Sequence, residues 1–139
     1  MNCGEIAKKP AVAITPDKTI EEAAALMAQH RVGLLVIVDK ENPKKPIGVI
    51  SERDIIRGIA QKTPLTATVD KVGTMRNFVY VYDYDPITAA ARKMRQHNVR
   101  HVVVVDKEGN LYGVISIRDL IGEKQVLEIL ARDWAPTKE

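Results

Sequence analysis

The stretch TIEEAAALMAQHRVGLLVIVDKE, from Thr19 to Glu41, returns later in the chain as PITAAARKMRQHNVRHVVVVDKE, from Pro86 to Glu108. The two stretches align without a gap at an offset of 67 residues. Each is followed by a second shared phrase, GVISERDII at Gly48–Ile56 and GVISIRDLI at Gly113–Ile121, now at an offset of 65. The second copy is therefore two residues shorter between the two phrases, and this difference falls in a turn, where length changes are tolerated. The 139-residue chain is therefore an internal duplication of one unit.

Each copy has the pattern strand, helix, strand, turn, strand, helix. Apolar residues recur at i, i+3, i+4 and i+7 in the first helix, which is the spacing of one helical face. Thr19 with Glu22 predicts a capping box at the start of that helix, and in the second copy Asp85 before Pro86 predicts an N-cap and a first helical residue. A single copy would expose one apolar face of its small sheet, so we expect the two sheets to pack face to face around one shared core. The predicted strands are Ala11–Thr15, Leu34–Val38 and Ile47–Ile50 in the first copy, and Phe78–Tyr82, Val102–Val105 and Tyr112–Ile115 in the second.

The composition places the chain among ordinary globular proteins. Apolar residues make up 45% and charged residues 28%, which excludes a disordered chain. No apolar run approaches the roughly 18 residues of a membrane span. With one cysteine, Cys3, and no apolar leader, we expect a cytoplasmic protein. The net charge of +3 suits a small anionic ligand.

The repeated phrases resemble the CBS domain, a family named after cystathionine β-synthase. The resemblance rests on a helix ending in His-x-Val, a strand ending in Val-Asp, and the phrase Gly-Val-Ile-Ser-x-Arg-Asp. It assigns residues 4–62 and 63–125 to two repeats and leaves 126–139 as a C-terminal helical extension. It implies an α/β (α+β) fold, with two β-α-β-β-α repeats packed in pseudo-twofold symmetry as a Bateman module. Such modules hold AMP, ADP, ATP or S-adenosylmethionine in two clefts between the repeats.

The strand-to-helix junctions carry the candidate site chemistry. Free N–H groups at a helix start favour a phosphate. Serine can donate to phosphate oxygen, arginine can pair with it, and aspartate can accept from a ribose diol. The family resemblance assigns the same roles. The structural alternative is a capping serine followed by an acid that suits the helix dipole. The candidate residues are Ser116, Arg118 and Asp119 in the second copy, and Ser51, Arg53 and Asp54 in the first.

The copies differ just before the buried strand. The second copy has Arg100 and His101 where the first has Gly33 and Leu34. The nucleotide-sensing subunit of AMP-activated protein kinase is similar at this position, where basic residues contact phosphate. We therefore predict that the cleft built on Asp119 is the stronger one. A solvated cation at a helix C-terminus is the alternative for Arg100.

The adenine slot comes from the family resemblance alone. It implies Ile14, Thr15 and Pro16, faced by Val114 or Ile115, with Lys18 approaching the phosphate. The weaker cleft would use Val81, Tyr82 and Asp83 with Val49 and the Ser51–Asp54 junction. There, Asp83 and Asp85 disfavour phosphate. Tyr80, Tyr82 and Tyr84 alternate along a strand and could stack on a base or simply pack.

These residues predict a sensor that binds AMP, with ADP or ATP as alternative ligands and no other cofactor. No metal spacing, P-loop or nucleophile–base pair is present, so an enzyme is not expected. The alternatives are an RNA-binding protein, which the scattered charge disfavours, and a sensor of S-adenosylmethionine or ATP. The family resemblance implies an unidentified regulated partner, and the absence of a long apolar run predicts no membrane association. A homodimer is expected through apolar residues of the second helices, unless the C-terminal helix folds back on its own chain. These residues are Ile55, Ile56 and Ile59, and Leu120, Leu127, Leu130 and Trp134.

Overall fold

The computed structural model describes residues 1–121 together with residues 128, 131 and 132. The chain divides into two compact units. We call residues Ala11–Phe78 the central unit, and Met1–Pro10 with the chain from Val79 onward the split unit. No helix in the described ranges is long and apolar enough to cross a membrane.

The elements of both units follow the predicted order, with short additions at the start of each copy. Each predicted strand is found at its position, although the first strand of each copy is shorter than predicted. The elements are α1 (Cys3–Ile6), β1 (Ala13–Ile14), α2 (Ile20–His30), β2 (Leu34–Val38), β3 (Pro46–Ser51), α3 (Glu52–Ala60), a 3-10 turn (Val69–Lys71), β4 (Thr74–Met75), β5 (Tyr80–Tyr82), α4 (Ile87–His97), β6 (His101–Val105), β7 (Leu111–Ser116) and α5 (Ile117–Leu120).

Each unit contains one sheet. In the central unit the strand order is β1-β2-β3-β4, and in the split unit it is β5-β6-β7. The first strand of each sheet is parallel to the second, and the remaining pairs are antiparallel. The central strands β2 and β6 are buried along nearly their whole length, as expected for aliphatic runs covered on both faces.

The first helix of each copy was predicted to begin with a cap, and the structure has that cap in the first copy only. At α2 the Thr19 hydroxyl accepts from the Glu22 N–H at 3.1 Å, and the capping box is complete. At α4 the prediction was wrong, since Pro86 is the N-cap residue and no side chain caps the helix. The Asp85 carboxylate instead accepts from the Tyr82 N–H at 2.9 Å, because the turn after β5 bends it toward that strand.

The structural units exchange their leading segments, so their boundaries differ from those of the sequence repeats. The stretch before the first repeat's strand belongs to the split unit, where Lys8 pairs with Val114. The corresponding stretch of the second repeat forms β4, which pairs with β3 in the central unit. Close approach of these segments requires glycine. A Cβ at Gly48 would lie 2.8 Å from the Thr74 carbonyl oxygen, and a Cβ at Gly113 would lie 2.5 Å from that of Lys8.

Each unit has a hydrophobic core of its own among the described residues. That the two copies also share one core stays a prediction. Each sheet is covered by helices of its own unit, and the exchanged segment adds further apolar contacts. In the split unit Cys3 joins the core around Val104 and Ile115. In the central unit Val72 and Met75 pack against the core around Ile37 and Ile50. Each unit therefore has its own buried apolar cluster.

Candidate functional site

The two strand-to-helix junctions have the same backbone frame. In the split unit, the Ser116 N–H donates to Asp119 Oδ2 at 2.8 Å and the Asp119 N–H donates to Ser116 Oγ at 3.3 Å. In the central unit, the Ser51 N–H donates to Asp54 Oδ2 at 2.8 Å and the Asp54 N–H donates to Ser51 Oγ at 3.2 Å. Both are capping boxes, so the structural alternative for these residues holds in both copies. The cap occupies one carboxylate oxygen and leaves the other, Oδ1, for a further partner.

That second oxygen has different partners in the two copies. In the central unit, Arg57 Nη2 donates to Asp54 Oδ1 at 2.7 Å and also contacts the Val72 carbonyl oxygen at 3.4 Å. In the split unit, Lys8 Nζ lies 3.8 Å from Asp119 Oδ1, which is an ion pair too long for a hydrogen bond. Within the described residues, Asp119 Oδ1 accepts no hydrogen bond from the protein. It is therefore the carboxylate oxygen that a ligand can use.

The charge beside the two junctions also differs. The Arg100 carbonyl oxygen accepts from the Ile117 N–H at 2.7 Å, which holds Arg100 against the start of α5. In the central unit the Gly33 carbonyl oxygen accepts from the Glu52 N–H at 3.0 Å. A Cβ at Gly33 would lie 2.6 Å from Glu52 Oε1, so the glutamate fills the space that a side chain would need. At this position the split unit has the cation Arg100 beside the neutral Ile117, whereas the central unit has the neutral Gly33 beside the anion Glu52.

The predicted adenine residues Ile14, Thr15 and Lys18 line a cavity of about 490 Å³ in the central unit, whereas Pro16 does not. A volume of this order is typical of small-ligand sites. The Thr15 hydroxyl and the Lys40 ammonium, 3.6 Å from the carboxylate, hold the pKa of Asp17 below its usual range. The residues that complete the lining are Ala13, Glu22, Ala25, Leu26, Gln29 and Val38.

The other predicted adenine contacts occupy different environments. Ile115 and Val81 are core residues, so their side chains are not available to a ligand. The Val114 N–H and carbonyl oxygen are both bonded to Lys8, at 3.2 and 2.9 Å, which leaves its half-buried side chain. Val49 is also half-buried and lies in β3, where it is paired with Thr74.

The tyrosines of the weaker predicted cleft form a ladder along β5 and the following turn. The rings of Tyr80 and Tyr82 meet edge to face, with centroids 5.7 Å apart, and those of Tyr82 and Tyr84 stack at 5.1 Å. The Tyr80 side chain, hydrogen-bonded to that of Tyr82, raises the pKa of Tyr82 above its ordinary value. The tyrosines therefore pack against one another, and stacking on a base stays a prediction.

Sequence reasoning missed two cations, Arg57 and Lys8. Arg57 follows Asp54 by one helical turn, and its counterpart in the aligned repeats is Gly122, so comparison of the copies contains this signal. Lys8 belongs to the exchanged segment and is remote from Asp119 along the chain, so no local pattern indicates it. The remaining predicted cations, Arg53 and Arg118, are exposed in the first turns of α3 and α5.

Groups suited to catalysis are few in the described part of the chain. Burial, followed by the charge of Asp85, raises the pKa of the Cys3 thiol to about 11, so the nucleophilic thiolate is disfavoured there. No group of three His, Cys, Asp or Glu residues suited to a metal ion occurs among residues 1–121, 128, 131 and 132.

Comparison with known proteins matches both repeats. The CBS domain family model matches residues 3–61 and 69–125. A CBS domain protein of Pyrobaculum aerophilum, solved in complex with AMP, has a TM-score of 0.87 and 45% identity, covering 95% of this chain and 99% of that chain. A CBS domain pair solved with 5'-methylthioadenosine and S-adenosyl-L-methionine has a TM-score of 0.79 and 26% identity, covering 92% and 96%. The mixed α/β fold and the family resemblance predicted from the sequence are thereby confirmed.

Curated sequences extend the comparison. An uncharacterized 17.7 kDa protein of Acidianus ambivalens is 34% identical over 116 residues, which are 84% of this chain and 68% of that protein. Two further relatives are longer, and the chain spans 61% and 22% of their lengths.

Proposed function

Because this chain belongs to the CBS domain family, we propose that it is a sensor module that binds an adenine nucleotide, with AMP as its ligand, and that regulates a partner protein. The observation that carries the proposal is the state of Asp119. Its carboxylate lies at a helix start with one oxygen that accepts no hydrogen bond from the described residues. A ribose diol supplies the two O–H donors that such a carboxylate accepts.

Phosphate recognition is assigned to the same junction. The Ser116 hydroxyl accepts from the Asp119 N–H and retains its own hydrogen for donation to a phosphate oxygen. Arg100 is held beside the helix start through its carbonyl oxygen, and Arg118 is exposed in the first helical turn. Two guanidinium groups suit one phosphate dianion. The complex of the Pyrobaculum protein with AMP supports this choice of ligand.

The ligand is identified by two measurements. A thermal-shift screen against AMP, ADP, ATP, NAD and S-adenosylmethionine ranks the ligands, because selective binding to the native state raises the melting temperature. Calorimetry then compares AMP with ATP. We expect AMP to bind more tightly, since one cationic cluster serves one phosphate and the described residues contain no group of three His, Cys, Asp or Glu residues suited to a metal ion. A tenfold advantage for ATP would contradict the proposal.

S-adenosylmethionine is the second candidate, because a related CBS domain pair was solved with it. It shares the ribose with AMP but carries a sulfonium cation in place of phosphate. Arg100 and Arg118 repel that cation, which favours AMP. Binding of S-adenosylmethionine that is tighter than that of AMP would reverse the assignment.

A homodimer through the second helices is part of the proposal. Ile56 and Ile59 in α3 and Ile121 after α5 are exposed by 66%, 56% and 64%. Exposed aliphatic residues of this kind favour an interface. Two residues assigned to it from the sequence, Ile55 and Leu120, are buried in their own units and are corrected here to core residues. Leu127, Leu130 and Trp134 lie outside the described residues.

Light scattering at micromolar concentration tests the dimer. A mass near 15.5 kDa would exclude it, and a mass near twice that value would support it. The cytoplasmic location and the identity of the regulated partner stay predictions. Nucleic-acid binding is tested by a mobility shift with bulk RNA across salt concentrations, with and without AMP.

A further inference from the structure

We infer that Arg57 closes the ribose acceptor of the central unit, so that of the two duplicated junctions only the one built on Asp119 takes a nucleoside. The inference rests on the proposed function, since it concerns which copy of the same chemistry is open. It makes Arg57 a specificity-determining residue.

The inference starts from the acceptors of Asp54. Oδ2 accepts from the Ser51 N–H at 2.8 Å, and Oδ1 accepts from Arg57 Nη2 at 2.7 Å. The carboxylate is only 10% exposed. A ribose diol would have to displace the guanidinium from Oδ1, and so replace a charge-assisted hydrogen bond by a neutral one.

The guanidinium is held by more than its own helix. An i,i+3 pair on an exposed helix face is a common and weak feature. Here, however, Arg57 Nη2 also reaches the Val72 carbonyl oxygen at 3.4 Å, and Val72 lies in the stretch leading to β4. Arg57 is 50% exposed at its 2.7 Å hydrogen bond, whereas Lys8 is 78% exposed and lies 3.8 Å from Asp119, so a ligand displaces Lys8 more readily.

A second difference between the two junctions disfavours phosphate binding in the central unit. Glu52 occupies the space beside Gly33, so an anion stands where the other copy has the cation of Arg100. The central junction is therefore closed to ribose by Arg57 and disfavours phosphate through Glu52. These two effects can be separated experimentally, because adenosine carries the ribose without the phosphate.

The test follows the backbone amides of Asp54 and Asp119 by two-dimensional NMR of the full chain during titration. Both amides donate to a serine Oγ within their junction, so each reports on its own site. Arg57→Met removes the guanidinium and keeps the apolar stem. Arg57→Met combined with Glu52→Ile also removes the anion. Lys44→Met, an exposed turn residue of the central unit, is the matched control for loss of one positive charge.

We expect adenosine and AMP to shift only the Asp119 amide in the wild-type and Lys44→Met proteins. In Arg57→Met, we expect adenosine to shift the Asp54 amide saturably, with a gain in affinity of about tenfold over wild type. We expect AMP to shift the Asp54 amide only in the double variant. Unchanged dispersion of the remaining amides verifies that each variant is folded.

Two outcomes would overturn the inference. One is saturable response of the wild-type Asp54 amide at the affinity seen for Asp119. The other is a folded Arg57→Met protein whose Asp54 amide stays silent while Asp119 titrates. If no adenine compound shifts the Asp119 amide, the proposed function fails. The response of the Asp54 amide to adenosine in Arg57→Met then still tests the role of Arg57.

Discussion

The junctions at Ser51–Asp54 and Ser116–Asp119 share one hydrogen-bonded cap, with matching serine–aspartate bonds of 2.8 Å in both units. They differ in what meets the remaining carboxylate oxygen. At Asp54 it is a guanidinium at 2.7 Å, and at Asp119 it is an exposed ammonium at 3.8 Å. Duplication thus preserved the part of the motif that starts a helix, and the partners around it diverged. The lesson is that the motif alone does not distinguish a helix cap from a ligand site.

The largest expected effect separates the two aspartates by affinity. Asp119→Ala should weaken AMP binding by about 10- to 150-fold, because a charged acceptor of the ribose is lost. Asp54→Ala should leave AMP affinity within about twofold, since its oxygens serve the protein itself. Isothermal titration calorimetry of the two variants measures both values. Equal losses of AMP affinity in the two variants would show two comparable sites and would contradict the difference between Asp54 and Asp119.

The next effect concerns stability, where we expect substitution of Asp54 to cost more than substitution of Asp119. Asp54→Ala leaves the Arg57 guanidinium and the Ser51 N–H without their acceptor, so unfolding free energy should fall by about 1.5–3 kcal/mol. Asp119→Ala loses only its part of the capping box, about 1 kcal/mol. Urea unfolding without nucleotide measures both. A larger loss at Asp119 would mean that its carboxylate is structural after all.

Arg100→Gly tests the charge difference between the two junctions, because it introduces the residue found in the other copy, Gly33. AMP affinity should fall by about three- to tenfold, a discounted value for an exposed cation on phosphate. Adenosine affinity should not change, because adenosine has no phosphate. Titrations of both compounds at two salt concentrations check this, and equal losses for AMP and adenosine would point to a packing role.

The smallest effect belongs to Lys8→Thr, which introduces the residue at the corresponding position, Thr74, since Lys8 pairs with Val114 as Thr74 pairs with Val49. Adenosine should bind slightly more tightly, because Lys8 no longer pairs with Asp119. AMP should bind slightly less tightly, because a cation near the phosphate is lost. Each change should stay within about threefold, as expected for an exposed ion pair. A large loss for both compounds would make Lys8 a main ligand contact.

Much of the local structure was predictable because it depends on neighbours in sequence. Thr19 with Glu22 predicted a capping box, and the aliphatic run Leu34–Val38 predicted a buried strand. The cap at Asp85 failed because that side chain bonds Tyr82 in the preceding strand. Ile55 and Leu120 were expected at a surface, yet each faces its own unit's core. Helical spacing alone does not say which apolar residue faces inward.

By itself, the sequence determined the duplication, the order of the elements, the family resemblance and the Ser-x-x-Asp junctions, because each is a pattern among nearby residues. Only the tertiary structure decided that Lys8 pairs with Val114 and approaches Asp119 in the split unit, and that Arg57 contacts Val72 while it binds Asp54. The leading segments are exchanged between the units, so these partners are set by strand pairing across long chain separations. The exposed ammonium near Asp119 is a consequence of that pairing.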